Sequence, residues 1–69
     1  MSAEIPKLIQ LYDLSTNRVV VEMPLYSDIE FMEGDEIEGP TIGTFKIVRR
    51  RWSISGESII LVLQLEPLA

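Results

Sequence analysis

Two short stretches carry the residue types from which sites are built. Asp28, Glu30, Glu33, Asp35, Glu36 and Glu38 place six carboxylates within eleven positions. Lys46, Arg49, Arg50, Arg51 and Trp52 form a basic cluster closed by an aromatic residue. Oxygen ligands at that density suit a hard cation. The spacing nevertheless fails the calcium-loop pattern. With Asp28 and Glu30 as first and third ligands, Met32 takes the fifth position and Glu33 the place of the required glycine. Paired carboxylates also act as acid and base in glycoside hydrolysis, but that chemistry needs a cleft. A chain of 69 residues leaves little room for one of the usual ~300 Å³ or more.

The chain has no histidine and no cysteine. The common catalytic bases and nucleophiles and the usual zinc ligands are therefore missing. Ser53, Ser55 and Ser58 have no evident partner base. The expectation is a protein that is not an enzyme, with no catalytic residues, metal or cofactor. The acidic stretch then reads as a solvated loop at a sheet edge, where charge deters strand addition.

The basic cluster admits more readings. Arginines beside an exposed aromatic can grip phosphates and stack a base. They can also pair with an acidic partner, including the 28–38 loop of a neighbouring copy. Alternatively their stems cover apolar surface while Trp52 sits in the core. A net charge of −5 weighs against a polyanionic partner, because such affinity comes largely from Lys and Arg neutralising phosphates.

The elements that must position these residues read as strands in a single small β domain, residues 1–69. Hydrophobic residues make up 46% and charged residues 25%, a balance that argues against disorder. No apolar run approaches the ~20 residues of a membrane-spanning helix. The start, "MSAEIPKLIQ", has no basic segment followed by an apolar one. A cytoplasmic location without a secretory leader or a membrane partner is expected. A core this small is modest, and self-association is one ordinary way to bury more apolar surface.

"KLIQLY", residues 7–12, and "RVVVEM", residues 18–23, read as an antiparallel hairpin across the turn-forming "DLSTNR". Ile9 and Leu11 share one face, as do Val19, Val21 and Met23 on the second strand. Tyr12, Tyr26 and Trp52 are contact-prone types if exposed, but a small barrel is expected to take at least one of them into its core. "DIEF" alternates, with Ile29 and Phe31 on one side. Gly34-Asp35 is a turn that lets Phe31 and Ile37 both point inward, and 35–38 is a very short edge strand before Gly39-Pro40. Segment 43–53 is a long strand. Segment 57–66 is the clearest one, with Ile59, Leu61, Leu63 and Leu65 on one face and Ile60 and Val62 on the other.

Two registers are open to the last hairpin. A two-residue loop at Ser55-Gly56 sets Arg50 against Leu61, a poor match. A three-residue loop, Ile54-Ser55-Gly56, pairs Phe45 with Leu65 and Ile47 with Leu63, and puts Gly56 at the left-handed position of a type I turn with G1 bulge. The second register is the expectation. It leaves Arg49 and Arg51 at the open end of the inward face, and Val48, Arg50, Trp52, Ile60 and Val62 on the reverse face. A bulge within Arg49-Arg50-Arg51 is the device that would rotate Trp52 inward.

The phrase "F-x-x-G-D-x-I … G-x-F-x-I-V", over residues 31–48, resembles small SH3-like and PUA-like barrels. The resemblance implies an architecture and carries no functional residues. The expected fold is therefore all-β, a small antiparallel five-stranded barrel or strongly bent sheet, SH3-like. The expected function is a non-enzymatic protein-interaction or assembly module, self-associating through the last hairpin. Lys46, Arg49, Arg50, Arg51, Trp52, Ile60 and Val62 are its candidate interaction residues. The alternative is a nucleic-acid-binding barrel using segment 46–52.

Overall fold

A computed structural model describes residues 5–26 and 30–68. The N-terminal "MSAE", Ser27, Asp28, Ile29 and Ala69 lie outside them, and so do the expected alternation at Ile29 and the Asp28 carboxylate.

Five strands form: β1 (Lys7–Asp13), β2 (Arg18–Pro24), β3 (Glu36–Gly39), β4 (Gly43–Ile54) and β5 (Ile59–Pro67). They make one sheet in the order β2-β1-β5-β4-β3, curled into a half-barrel. The all-β expectation holds. The antiparallel pairing does not hold throughout, because β1 and β5 run parallel, with Ile9 beside Leu61 and Leu11 beside Leu63. The sheet is therefore mixed. The parallel pair joins the two strands with the most buried residues and needs a long connection, which the β2–β4 segment supplies.

Alternation accounts for the core. Ile9 and Leu11 of β1, Leu61, Leu63 and Leu65 of β5, and Phe45 and Ile47 of β4 are buried on the concave face. Each fully buried side chain contributes roughly 1.5–3 kcal/mol. The first hairpin forms as expected, with Leu14–Asn17 as its loop. Its second strand carries an extra residue, because Leu11 pairs with Val21 while Tyr12 pairs with Val19. Val20 is the surplus residue. Val21 and Met23 pack on the core as expected, and Val19 is turned out into solvent.

The last hairpin adopts neither register open to it in the sequence. Phe45 lies opposite Pro67 and Ile47 opposite Leu65; beyond a shift at Val48, Arg50 lies opposite Leu63 and Trp52 opposite Leu61. The loop is the four residues Ser55–Ser58. The Ser55 hydroxyl organises it, accepting from the Glu57 and Ser58 N–H groups at 3.2 and 3.1 Å. Gly56 has no positive φ. The left-handed glycines are Gly34, at φ 93°, and Gly43, at φ 91°, which follows the Pro40–Ile42 loop.

Candidate functional site: the open end of the half-barrel

The residue that decides the site is Val48. It is the extra residue of a β-bulge, and its insertion moves the side-chain alternation of β4 by one position. Directly paired residues share a face. Arg50, Trp52 and Ile54 therefore follow Phe45 and Ile47 onto the concave face, opposite Leu63, Leu61 and Ile59. Arg49 and Arg51 go to the outer face, opposite Gln64 and Val62.

This reverses the expected arrangement of the candidate residues. The sequence implies Arg50 and Trp52 on the reverse face with Ile60 and Val62, and Arg49 and Arg51 on the inward one. The structure keeps Arg49, Arg51, Ile60 and Val62 together on the outer face and separates Arg50 and Trp52 from them. The bulge expected to rotate Trp52 inward exists, one residue before Arg49. It does not bury the tryptophan. The core ends at Leu61, and Trp52, beside it on the neighbouring strand, is 52% exposed. Tyr26 is exposed and Tyr12 half-buried, so none of the three contact-prone aromatics is a core residue. Lys46 also lies on the outer face, but between Glu36 of β3 and Glu66 of β5.

The acidic turn closes over the concave face at this bulge. The Asp35 N–H donates to the Met32 carbonyl at 3.1 Å, and the Asp35 carboxylate accepts from the Met32 N–H at 3.0 Å. Gly34 supplies the positive φ that the third position of a type II turn requires. The turn is fastened to β4 by main-chain bonds from Gly34 N–H to the Ile47 carbonyl and from Ile47 N–H to the Asp35 carbonyl, both 2.8 Å. Phe31 and Ile37 pack against the core from either side of it, as the sequence implied. The Glu33 carboxylate accepts from the Arg50 main-chain N–H at 3.4 Å, a long bond. The Arg50 guanidinium reaches the Met32 sulfur at 3.8 Å, and its Nε is enclosed with no acceptor among the described residues.

Turn and strand together bound a groove of about 430 Å³. Its floor includes Lys7, Arg50, Trp52, Ile59 and Leu61, and Leu25, Tyr26, Phe31 and Met32 rise beside it. The groove is larger than the chain length suggested. Glu30 is the only carboxylate lining it among the described residues, so no acid–base pair of these faces it. No group of three or more metal-ligating side chains occurs among the described residues.

Around the groove stands an exposed apolar rim: Tyr26 at 57%, Met32 at 50% and, at the end of β4, Ile54 at 72%. The sequence signal for Ile54 is an isolated isoleucine between Ser53 and Ser55, where a strand gives way to a turn. The rim adjoins an unpaired strand edge. β4 pairs with β5 along its length but with β3 only over Gly43–Lys46. From Arg50 to Ile54 its other edge meets no strand among the described residues.

Comparison with known proteins finds no family model, no curated protein and no solved structure that matches the chain.

Proposed function

We propose that the chain is a non-enzymatic protein-interaction module that assembles with itself through its last β-hairpin. The supporting observation is the coincidence of a β4 edge that meets no strand among the described residues with exposed Trp52 and Ile54 beside it. Open, apolar strand edges template pairing with another chain, and proteins ordinarily blunt them. Here the other two edges are blunted. β3 is four residues long with Glu36 and Glu38, and β2 carries Glu22 and ends at Pro24. A groove with one lining carboxylate among the described residues, in a chain with neither histidine nor cysteine, fits a binding surface better than a catalytic one. The chain is read as acting in the cytoplasm. The SH3-like resemblance of residues 31–48 belongs to this reading as an architecture only.

Sedimentation equilibrium tests it. The wild-type chain is expected to associate at high micromolar concentration and Ile54→Lys to sediment as a monomer. A wild-type monomer at that concentration contradicts the proposal.

Nucleic-acid binding has narrower support, the adjacent exposed Arg49 and Arg51 of the outer face. Trp52 lies on the other face and Lys46 is flanked by Glu36 and Glu66, so cations and stacking ring do not converge. That reading expects salt-sensitive binding of single strands, weakened by Arg51→Ala. An oligonucleotide left unbound at low salt removes it.

A further inference from the structure

We infer that the open edge of β4 pairs antiparallel with the same edge of a second copy, across a two-fold axis beside Ser53, so that Trp52 of each copy lies opposite Ile54 of the other. This rests on the last hairpin being an assembly surface, and adds the register in which the two copies meet.

The direction of the main-chain groups sets the choice. Beyond the bulge, the Arg50 N–H points away from β5, toward the Glu33 carboxylate. The Ser55 N–H points the other way, to the Ser58 carbonyl at 2.9 Å. Groups alternate along a strand, so the N–H and C=O of Trp52 and Ile54 point, like those of Arg50, into the open edge. A second strand joins only where outward groups meet outward groups. Two-fold axes at Arg51, Trp52, Ser53 or Ile54 all satisfy this condition, and side chains decide among them.

An axis at Arg51 sets that arginine against its own copy, and like charges directly opposite are destabilising. An axis at Trp52 pairs Ile54 with Arg50 and so needs an Arg50 N–H that already bonds Glu33, whereas an axis at Ser53 sets Arg50 against Gly56 in the turn and needs no ladder bond from it. An axis at Ile54 sets Trp52 against Gly56 in the turn. An axis at Ser53 places two small side chains at the centre and pairs Trp52 with Ile54 twice. Aromatic and β-branched residues stabilise each other in such pairs, and each pair exchanges both of its main-chain bonds.

Charge favours the same register. A chain of net charge −5 repels its copy unless the contact is locally complementary. With the axis at Ser53, Arg51 lies opposite Ser55 of the second copy, and the hairpin tip carrying Glu57 of the second copy lies alongside Arg49 and Arg50, where Glu33 also stands, so that the arginines of this segment outnumber the carboxylates. The two-fold repeats this contact. It also accounts for the exposure of Ile54, which has no neighbouring strand on its open side among the described residues.

Ser53→Cys tests the register, because the chain has no cysteine of its own. Ser53 is exposed, so the exchange is expected to leave the fold intact by circular dichroism. At the axis the two positions form a non-hydrogen-bonded pair with Cα atoms about 4.5 Å apart, within disulfide range. Mild oxidation is expected to bridge most Ser53→Cys chains into covalent dimers. Arg51→Cys, with its positions ~13 Å apart at strand spacing, is expected to stay unbridged. A sedimenting wild-type dimer with no bridge at Ser53→Cys overturns this register and leaves hairpin assembly standing. A wild-type monomer overturns both, as does an edge that takes up an acidic peptide and not a second copy.

Discussion

Gly34 and Gly56 carry the same side chain and opposite expectations. Gly34 sits at φ 93° in the turn that fastens the acidic segment to β4. An added methyl group would meet no atom there, so the cost is backbone strain alone, about 1–2 kcal/mol. Gly56 has an ordinary φ and open space at its Cβ position. Gly56→Ala is therefore expected to be neutral or to stabilise by roughly 0.4–1 kcal/mol. Chemical denaturation of both variants checks this contrast, and a destabilised Gly56→Ala would restore the left-handed turn that the sequence suggested.

Asp13 gives a second residue-scale prediction. Its carboxylate accepts the Ser15 hydroxyl at 2.6 Å and the Ser15 N–H at 2.8 Å. The Ser15 hydroxyl is the main cause of a pKa below the ordinary carboxylate value; burial opposes it, and the Ser15 N–H and Thr16 reinforce it. A lowered folded-state pKa contributes stability above the unfolded-state value, and that contribution is lost as pH falls through the folded-state pKa. The melting temperature of wild type is thus expected to exceed that of Asp13→Asn near neutrality, with the gap closing in acid. A gap independent of pH contradicts the assignment.

At the scale of elements, Val48 governs the site. Two residues of β4 oppose one of β5 at the bulge, so deleting Val48 leaves Phe45, Ile47, Arg50 and Trp52 on one face. Deleting Arg51 instead sends Trp52 to the outer face. The first deletion is expected to keep the tryptophan emission maximum and the second to change it. Core truncation is costlier than either glycine change. Leu63→Ala, fully buried on the central strand, is expected to lose about 2–5 kcal/mol. That is a large share of the stability of a small domain, and urea unfolding measures it.

The strands were legible because their signals are local. Val19 to Val21, Leu61, Leu63 and Leu65 announce pleated, half-buried surface wherever they pair. Gly34-Asp35 announced its turn in the same way. The parallel pairing of β1 with β5 has no local signal, since it joins segments about fifty residues apart. The register of the last hairpin failed for a related reason. An extra valine in a β-branched strand looks like any other valine, and bulging it out of strict alternation exchanges the faces of all three arginines and the tryptophan. The structure therefore divides the candidate residues along a different plane from the one the sequence implied. Arg50 and Trp52 belong with Ile54 at the groove, and Arg49 and Arg51 belong with Val62 outside.

The whole molecule is a half-barrel whose concave face outlasts its core. Seven buried residues fill one end; at the other, a groove and an apolar rim lie beside an unpaired edge. Burial of that rim against a second copy, as proposed, would complete what the fold leaves open. Amide hydrogen exchange at Trp52 and Ile54 tests it most directly, because both N–H groups point into the open edge, which meets no strand among the described residues. Their exchange is expected to be slow at high protein concentration and to quicken on dilution. Fast exchange of both amides at every concentration, while the Leu63 amide stays protected, would rule out assembly through this edge.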